Sequence, residues 1–314
     1  MKKIFNTDDP NAIRPAKVVE GSELDGCSAV GWEHCFDCSR DVATSEGSFR
    51  VYLAGNLSSA RFVWVLLHGA GQSSLVWSLL SSELRCNSAG AVVAYDARGH
   101  GDTRCADEQN LSRERMAQDC VLVLQQVLLL QEEGKQICLV GHSMGGSTAV
   151  AVAALLPKNV SGLVVMDVVE GTAMASLSAI RKFVNSRPAS FASVAQAVRW
   201  AVDSGTIKSL DSARISVPGQ LRQTEEGVWV WRTDVGASSE FWQGWYENMS
   251  AKFLAITKPK MLMLAGMDRL DTPLVIGQMQ GKFQLEIFPA CSHQLHEEAP
   301  KEVCAKLLKF ANRI

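Results

Sequence analysis

The stretch Cys138-Leu139-Val140-Gly141-His142-Ser143-Met144-Gly145-Gly146 constrains this chain more than any other. An apolar run ends in Gly-x-Ser-x-Gly and passes into a segment rich in Ala and Val with helical character. Such an order reads as strand, sharp turn, helix, with the serine on the turn. A serine hydroxyl is a poor nucleophile unless it is exposed, aimed and next to a base. The turn lifts Ser143 to the end of its strand. Gly141 and Gly145 let strand and helix backbones pass close together without a Cβ clash. The helix N-terminus then offers backbone N–H groups, Met144 first, to a developing oxyanion. Gly-x-Ser-x-Gly alone occurs in loops by chance. The strand before it and the helix after it make it a nucleophile elbow.

The surrounding pattern agrees. Phe49 to Leu53, Phe62 to Leu67, Ala91 to Tyr95, Ile137 to Val140, Val160 to Val169, Met261 to Ala265 and Gln284 to Phe288 are apolar runs bounded by turn signals, and they read as strands. Leu111 to Glu133 and Glu302 to Asn312 read as helices. Strands alternating with helices predict a mostly parallel, doubly wound sheet. With the elbow this is an α/β-hydrolase fold, whose ligands sit beyond the C-terminal ends of the strands. Residues from about 171 to 250 break the alternation and carry Trp200, Trp229, Trp231, Trp242 and Trp245, with Phe183, Phe191, Phe241 and Tyr246. They read as an inserted helical cap. Most of these rings are expected to glue the cap to the core, and a minority to line a substrate groove. Residues 1 to about 30 are polar, contain Gly and Pro, and read as a poorly ordered arm. The hydrolase domain is then 31–314.

Composition excludes several classes. The 314 residues suffice for one large domain with a full core, and the net charge of −2 with mixed signs leaves no nucleic-acid or membrane footprint. No secretory h-region and no run of membrane-spanning length is visible. Nine scattered cysteines fit free thiols in the cytoplasm, with the nucleus as a second compartment, better than a disulfide scaffold. Cys35-x-x-Cys38 has zinc-knuckle spacing at one end only, so Cys27, His34, Cys35 and Cys38 read as an irregular segment rather than a metal site. No metal or cofactor is implied.

Chain order gives the partners of Ser143. In this fold the histidine comes last. Of six histidines only His293 and His296 follow the serine, and His293 lies just after the last predicted strand. His68, His100 and His142 read as structural. The acid must hold the imidazole tautomer and stabilise the imidazolium. Asp167 and Asp268 both end strands, and pattern alone leans to Asp268, the commoner position. The second oxyanion donor should come from His68-Gly69-Ala70-Gly71, through Ala70 or Gly71. Asp96-Ala97-Arg98-Gly99-His100-Gly101 reads as a structural wall. A serine in the elbow excludes the carboxylate nucleophile of dehalogenases and epoxide hydrolases, leaving acyl transfer to water.

A closer resemblance rests on longer blocks. Asp167-Val168-Val169-Glu170-Gly171-Thr172-Ala173-Met174 and Gly277-Gln278-Met279-Gln280-Gly281-Lys282-Phe283 are far more specific than the elbow. With Asp211-Ser212-Ala213-Arg214-Ile215-Ser216, Leu264-Ala265-Gly266-Met267-Asp268-Arg269-Leu270-Asp271 and His296-Glu297-Glu298-Ala299-Pro300, they resemble the protein phosphatase methylesterase family from about Trp32 onward. The resemblance implies removal of a methyl ester from the C-terminal leucine of the type 2A protein phosphatase catalytic subunit. It also implies a triad of Ser143, Asp167 and His293, which displaces the lean to Asp268. A small-ester carboxylesterase and a phosphatase-binding inhibitory protein are the competing expectations. The chain departs from animal members in lacking a long acidic insertion, since Gln220 to Trp231 is short.

Overall fold

The run Phe62-Val63-Trp64-Val65-Leu66-Leu67 has no polar face, as a strand buried on both sides requires. In the computed structural model, which describes residues 24–60, 62–87, 90–128, 135–266 and 270–314, it lies inside the central sheet. The chain begins with β1 (Cys38–Thr44), β2 (Gly47–Ala54), β3 (Phe62–Leu67), α1 (Ser78–Asn87), β4 (Ala91–Tyr95), β5 (Arg104–Cys105) and α2 (Arg113–Leu128). Then come β6 (Gln136–His142), α3 (Met144–Leu155) and β7 (Val160–Met166). The cap follows with α4 (Glu170–Ser186), β8 (Ser190–Phe191), α5 (Val194–Asp203), α6 (Leu210–Ser216), β9 (Leu221–Gln223), β10 (Trp229–Trp231), α7 (Trp242–Tyr246) and α8 (Met249–Ala255). The core resumes with β11 (Lys260–Leu264), α9 (Thr272–Met279), β12 (Gln284–Ile287), α10 (Leu295–Glu298) and α11 (Pro300–Ala311).

The main sheet runs β1-β2-β4-β3-β6-β7-β11-β12, with β5 on β2. β1, β2 and β4 pair antiparallel, and every pair from β4 through β12 is parallel. Successive side chains enter opposite layers. Val63, Val65, Leu67, Leu139 and Val165 join a core roofed by α2 and α3. Trp64, Leu66, Cys138, Val140 and Val164 join the one roofed by α1 and α11. Each fully buried large side chain contributes roughly 1.5–3 kcal/mol.

The predicted strands are all present within a few residues. β1 escaped the sequence reading because it is a polar, largely exposed edge strand without an apolar run. The cap is not wholly helical, since β8, β10 and β9 form a small antiparallel sheet. Gln220 to Trp231 is the β9–β10 hairpin, closed by Gly227 N–H donating to the Thr224 carbonyl. The expected arm is shorter than 30 residues. Residues 1–23 lie outside the described residues, but Cys27 is buried in the cap core and Val30 N–H donates to the Arg214 carbonyl.

The cap is pinned to the core at the site. Arg113 Nη1 donates to the carbonyls of Trp245 and Glu247 at 3.2 and 3.0 Å. Trp245 Nε1 donates to Leu111 O at 2.6 Å, and Ser147 Oγ donates to Trp245 O. Within the cap, Glu170 at the start of α4 accepts from the amides of Asn248 and Ser250 and ties α4 to α8.

The elbow depends on the absence of side chains. A Cβ on Gly145 would collide with the Leu67 carbonyl, and one on Gly141 with the Gly145 carbonyl. Both obstacles are backbone and cannot swing aside. Gly145→Ala should therefore lower unfolding free energy by at least roughly 2 kcal/mol in urea titration. A loss below about 0.5 kcal/mol, the size of a surface change, would contradict the close approach.

Candidate active site

Two neighbouring strand ends and the loop after β12 deliver the reactive groups. β6 stops at His142, and Ser143 takes φ 53° and ψ −119° before α3 begins. A side chain held at positive φ is strained, and the strain is tolerated only where the surroundings fix it. Here the Ser143 amide donates to Met166 O at 3.1 Å. Beside it, β7 ends in Asp167, also at positive φ (49°), whose amide donates to Met263 O at 2.8 Å. The turn aims the carboxylate along the top of the sheet. Its Oδ1 accepts from the Ala265 amide at 2.9 Å, and its Oδ2 meets His293 Nδ1 at 2.7 Å. Asp167 is buried, whereas the His293 side chain is 46% exposed. An imidazole held at Nδ1 presents Nε2 to the open side, as a base for Ser143 requires. Ser143 also contacts the phenol of Tyr246, whose pKa burial raises to about 12 while the serine contact moderates the rise. Tyr246 is thus a neutral hydrogen-bonding neighbour.

The loop after β3 supplies donors, but not both expected ones. Gly71 N–H donates to His100 Nε2 at 2.9 Å, so it is already engaged. Gly69 N–H is held by Gln72 Oε1 at 2.8 Å. The Ala70 amide has no acceptor among the described residues and pairs naturally with that of Met144 at the start of α3. Ala70 and Met144 are therefore the donors the geometry leaves available, and Gly71 is not.

Around this centre lies a set of buried neutral imidazoles. His68 Nδ1 donates to Gly69 O, leaving Nε2 to accept from the Ala97 amide at 2.9 Å. His100 repeats the arrangement with Arg98 O and Gly71 N–H. His142 Nε2 donates to the His293 carbonyl at 2.9 Å and so fixes the backbone of that histidine. Trp77, His296, His142 and His293 follow one another as a stack with centroid separations of 4.2, 4.6 and 4.5 Å. His296, the competing candidate, is fully buried beneath and points to no opening. Asp268 lies outside the described residues. Cys27 and Cys35 are buried and Cys38 opens β1 exposed. The Asp96 loop is structural in its contacts: Asp96 accepts from the amides of Ser74 and Asp102, and buried Arg98 makes a two-pronged ion pair with Asp119.

A cavity of about 220 Å³ ends on Ser143 and His293. Leu177, Ile180, Val184 and Val217 give it an apolar wall. Trp200, Trp231, Trp242, Trp245, Phe183 and Tyr246 also face it, so most of the cap aromatics line the cavity instead of a minority. The reason is that the cap is thin there: Trp242, Trp245 and Tyr246 pack into the core on one side and bound the cavity on the other.

Comparison with known proteins decides the family. A model of the alpha/beta hydrolase family matches residues 64–306. The chain is 40% identical over 288 residues to "Probable protein phosphatase methylesterase 1" of Caenorhabditis elegans, covering 91% of this chain and 78% of the relative. It is 39% identical over 293 residues to protein phosphatase methylesterase 1 of Schizosaccharomyces pombe, with 91% and 86% covered. The human protein of the same name is 36% identical over 334 residues, with 91% and 85% covered.

The chain belongs to the protein phosphatase methylesterases.

It is a carboxylic-ester hydrolase. Among solved structures, E-2-(acetamidomethylene)succinate hydrolase shares the fold at a TM-score of 0.73 and 20% identity, over 88% of this chain and 99% of its own.

Several residues of the site were not singled out from sequence. Gln72 and Gln294 bridge the donor loop to the histidine loop through an amide contact at 2.8 Å. Arg187 lines the cavity. A lone Gln or Arg has no spacing to mark it, and only the fold brings these side chains to the site.

The buried charges set a pH dependence. Burial lowers the pKa of His68 to about 4 and of His100 and His296 to about 3, and pushes that of His142 well below 6.5. Burial raises Asp96 to about 6 and Glu297 to about 7. An imidazole with a depressed folded pKa stabilises fully above its unfolded value and loses that stability as pH falls below about 6.5. A carboxyl with a raised folded pKa acts oppositely, gaining stability as pH falls through its folded value. Between about pH 7 and pH 5.5 four imidazoles outweigh two carboxyls. Unfolding free energy should fall by roughly 2–3 kcal/mol over that interval. Equal or greater stability at the lower pH would show that the imidazoles are not buried neutral.

Proposed function

We propose that this enzyme removes the methyl ester from the C-terminal leucine of the type 2A protein phosphatase catalytic subunit. The observation that carries the reading is the apolar cavity closing on Ser143 and His293. Its wall of Leu177, Ile180, Val184 and Val217 suits an aliphatic side chain next to an ester. The names of the relatives support a phosphatase as the protein carrying it.

The chemistry follows from the geometry. Ser143 Oγ attacks the ester carbonyl while His293 Nε2 takes its proton. Asp167, bonded to Nδ1, stabilises the imidazolium and fixes the tautomer. The amides of Met144 and Ala70 hold the oxyanion. As the tetrahedral intermediate collapses, the C–O bond to the methoxy group breaks and His293 returns the proton, releasing methanol. Water, activated by the same imidazole, attacks the acyl-serine, and the freed serine recovers the proton. The product is the leucine carboxylate. All nine cysteines are free, which supports a reducing compartment and hence the cytoplasm.

The test is methanol release from the phosphatase catalytic subunit carrying a methylated C-terminal leucine. Wild type should demethylate it, and Ser143→Ala should be slower by about 10⁶-fold. Cleavage of small neutral esters without demethylation would remove the phosphatase reading and leave a carboxylesterase. A Ser143→Ala protein that still binds and suppresses the phosphatase would reveal an inhibitory role.

A further inference from the structure

Among the described residues, one cationic side chain borders this apolar cavity, and it has no ion-pair partner within bonding distance. Arg187 follows the last residue of α4, and Pro188 after it favours the extended backbone that Arg187 adopts. Its guanidinium stacks on the Trp231 ring, 4.5 Å from the centroid, and the ring is itself held by Trp231 Nε1 donating to Pro188 O at 2.7 Å. Arg187 borders the same cavity as Ser143 and His293. A Cβ placed on Gly71 would stand 3.8 Å from Arg187 Nη1, so the cation lies beside the donor loop. Its Nε is buried and has no hydrogen-bond partner among the described residues.

Burial pushes the pKa of Arg187 down to about 10, opposed by the charge of Asp234. The group therefore remains a cation at neutral pH. Asp234 acts only through space: its carboxylate is exposed and accepts from the Ala237 amide at 3.0 Å. The stack on Trp231 compensates part of the lost hydration. A partly buried cation with no acceptor among the described residues is costly, and charged groups perturbed by burial cluster at functional sites. A guanidinium is shaped to take a carboxylate through two N–H donors.

We propose that Arg187 forms a carboxylate subsite within the substrate cavity and makes the enzyme selective for peptide esters that bring a carboxylate to it. This rests on the reading of the cavity as a peptide-ester site. The carboxylate has two possible sources, an acidic side chain upstream of the esterified residue and the carboxylate that hydrolysis itself creates.

The experiment uses short N-acetylated peptides ending in leucine methyl ester, with Asp or Asn at each of the upstream positions in turn. For the wild type, kcat/KM should favour Asp over Asn by at least about tenfold at one position, expressed in KM. Arg187→Gln should bring that ratio close to one, and Arg187→Lys should leave an intermediate value. If hydrolysis supplies the carboxylate, the peptide acid should instead inhibit the wild type at least about tenfold more tightly than the corresponding carboxamide, and Arg187→Gln should abolish that difference. A general loss of activity cancels in either ratio. Wild-type ratios near one in both arms overturn the proposal whatever the stability of the variant, and so do ratios that Arg187→Gln leaves unchanged. The phosphatase takes no part in these assays, so failure of the subsite and failure of phosphatase demethylation are read separately.

Discussion

The close approach of two backbones at Gly141 and Gly145 governs the rest of this structure. The end of β6 and the start of α3 must nearly touch, and the Leu67 and Gly145 carbonyls occupy the space that a side chain would need. Only then can Ser143 sit at positive φ with its hydroxyl above the sheet and the α3 amides beneath it. The adjacent strand repeats the device at Asp167, so two neighbouring strand ends project side chains toward one point. The parallel sheet supplies the spacing, and two apolar layers make it rigid enough to hold the strain.

Around that point the protein uses imidazole as structural material. His68 and His100 join loop to loop by accepting from the Ala97 and Gly71 amides, His142 does so by donating to the His293 carbonyl, and burial keeps them uncharged. His293 differs because one face is open and its Nδ1 meets a buried carboxylate. The same residue type thus serves as tie and as base, and exposure together with the Asp167 contact separates the roles. The cap completes the arrangement. It is anchored through Arg113 and Ser147, and it lines the cavity that reaches the serine with Tyr246, Trp242 and Arg187.

Much of this was legible in the sequence. The elbow, the parallel strands and the choice of His293 follow from local pattern and chain order, because buried parallel strands and a glycine-bounded turn leave strong signals. The acid did not follow. In the sequence pattern both Asp167 and Asp268 read as strand ends, and the resemblance to a family favours Asp167 where pattern favours Asp268. What places Asp167 opposite His293 is a left-handed backbone turn, which a non-glycine residue does not advertise. Gly71 illustrates the same limit: its amide looked available until His100, distant in sequence, was found to accept from it. The cap was visible only as aromatic content, since its rings serve packing and cavity at once.

The central claim is that Asp167 orients His293 as the base for Ser143. The most direct measurement is the rate at which a fluorophosphonate labels Ser143, read by mass spectrometry of the intact protein, in Asp167→Asn and Asp268→Asn. Asp167→Asn should slow labelling by about 10³–10⁴-fold through the wrong imidazole tautomer, with Asp268→Asn near wild type. Fast labelling of Asp167→Asn with loss of labelling in Asp268→Asn would contradict the account and make Asp268 the acid.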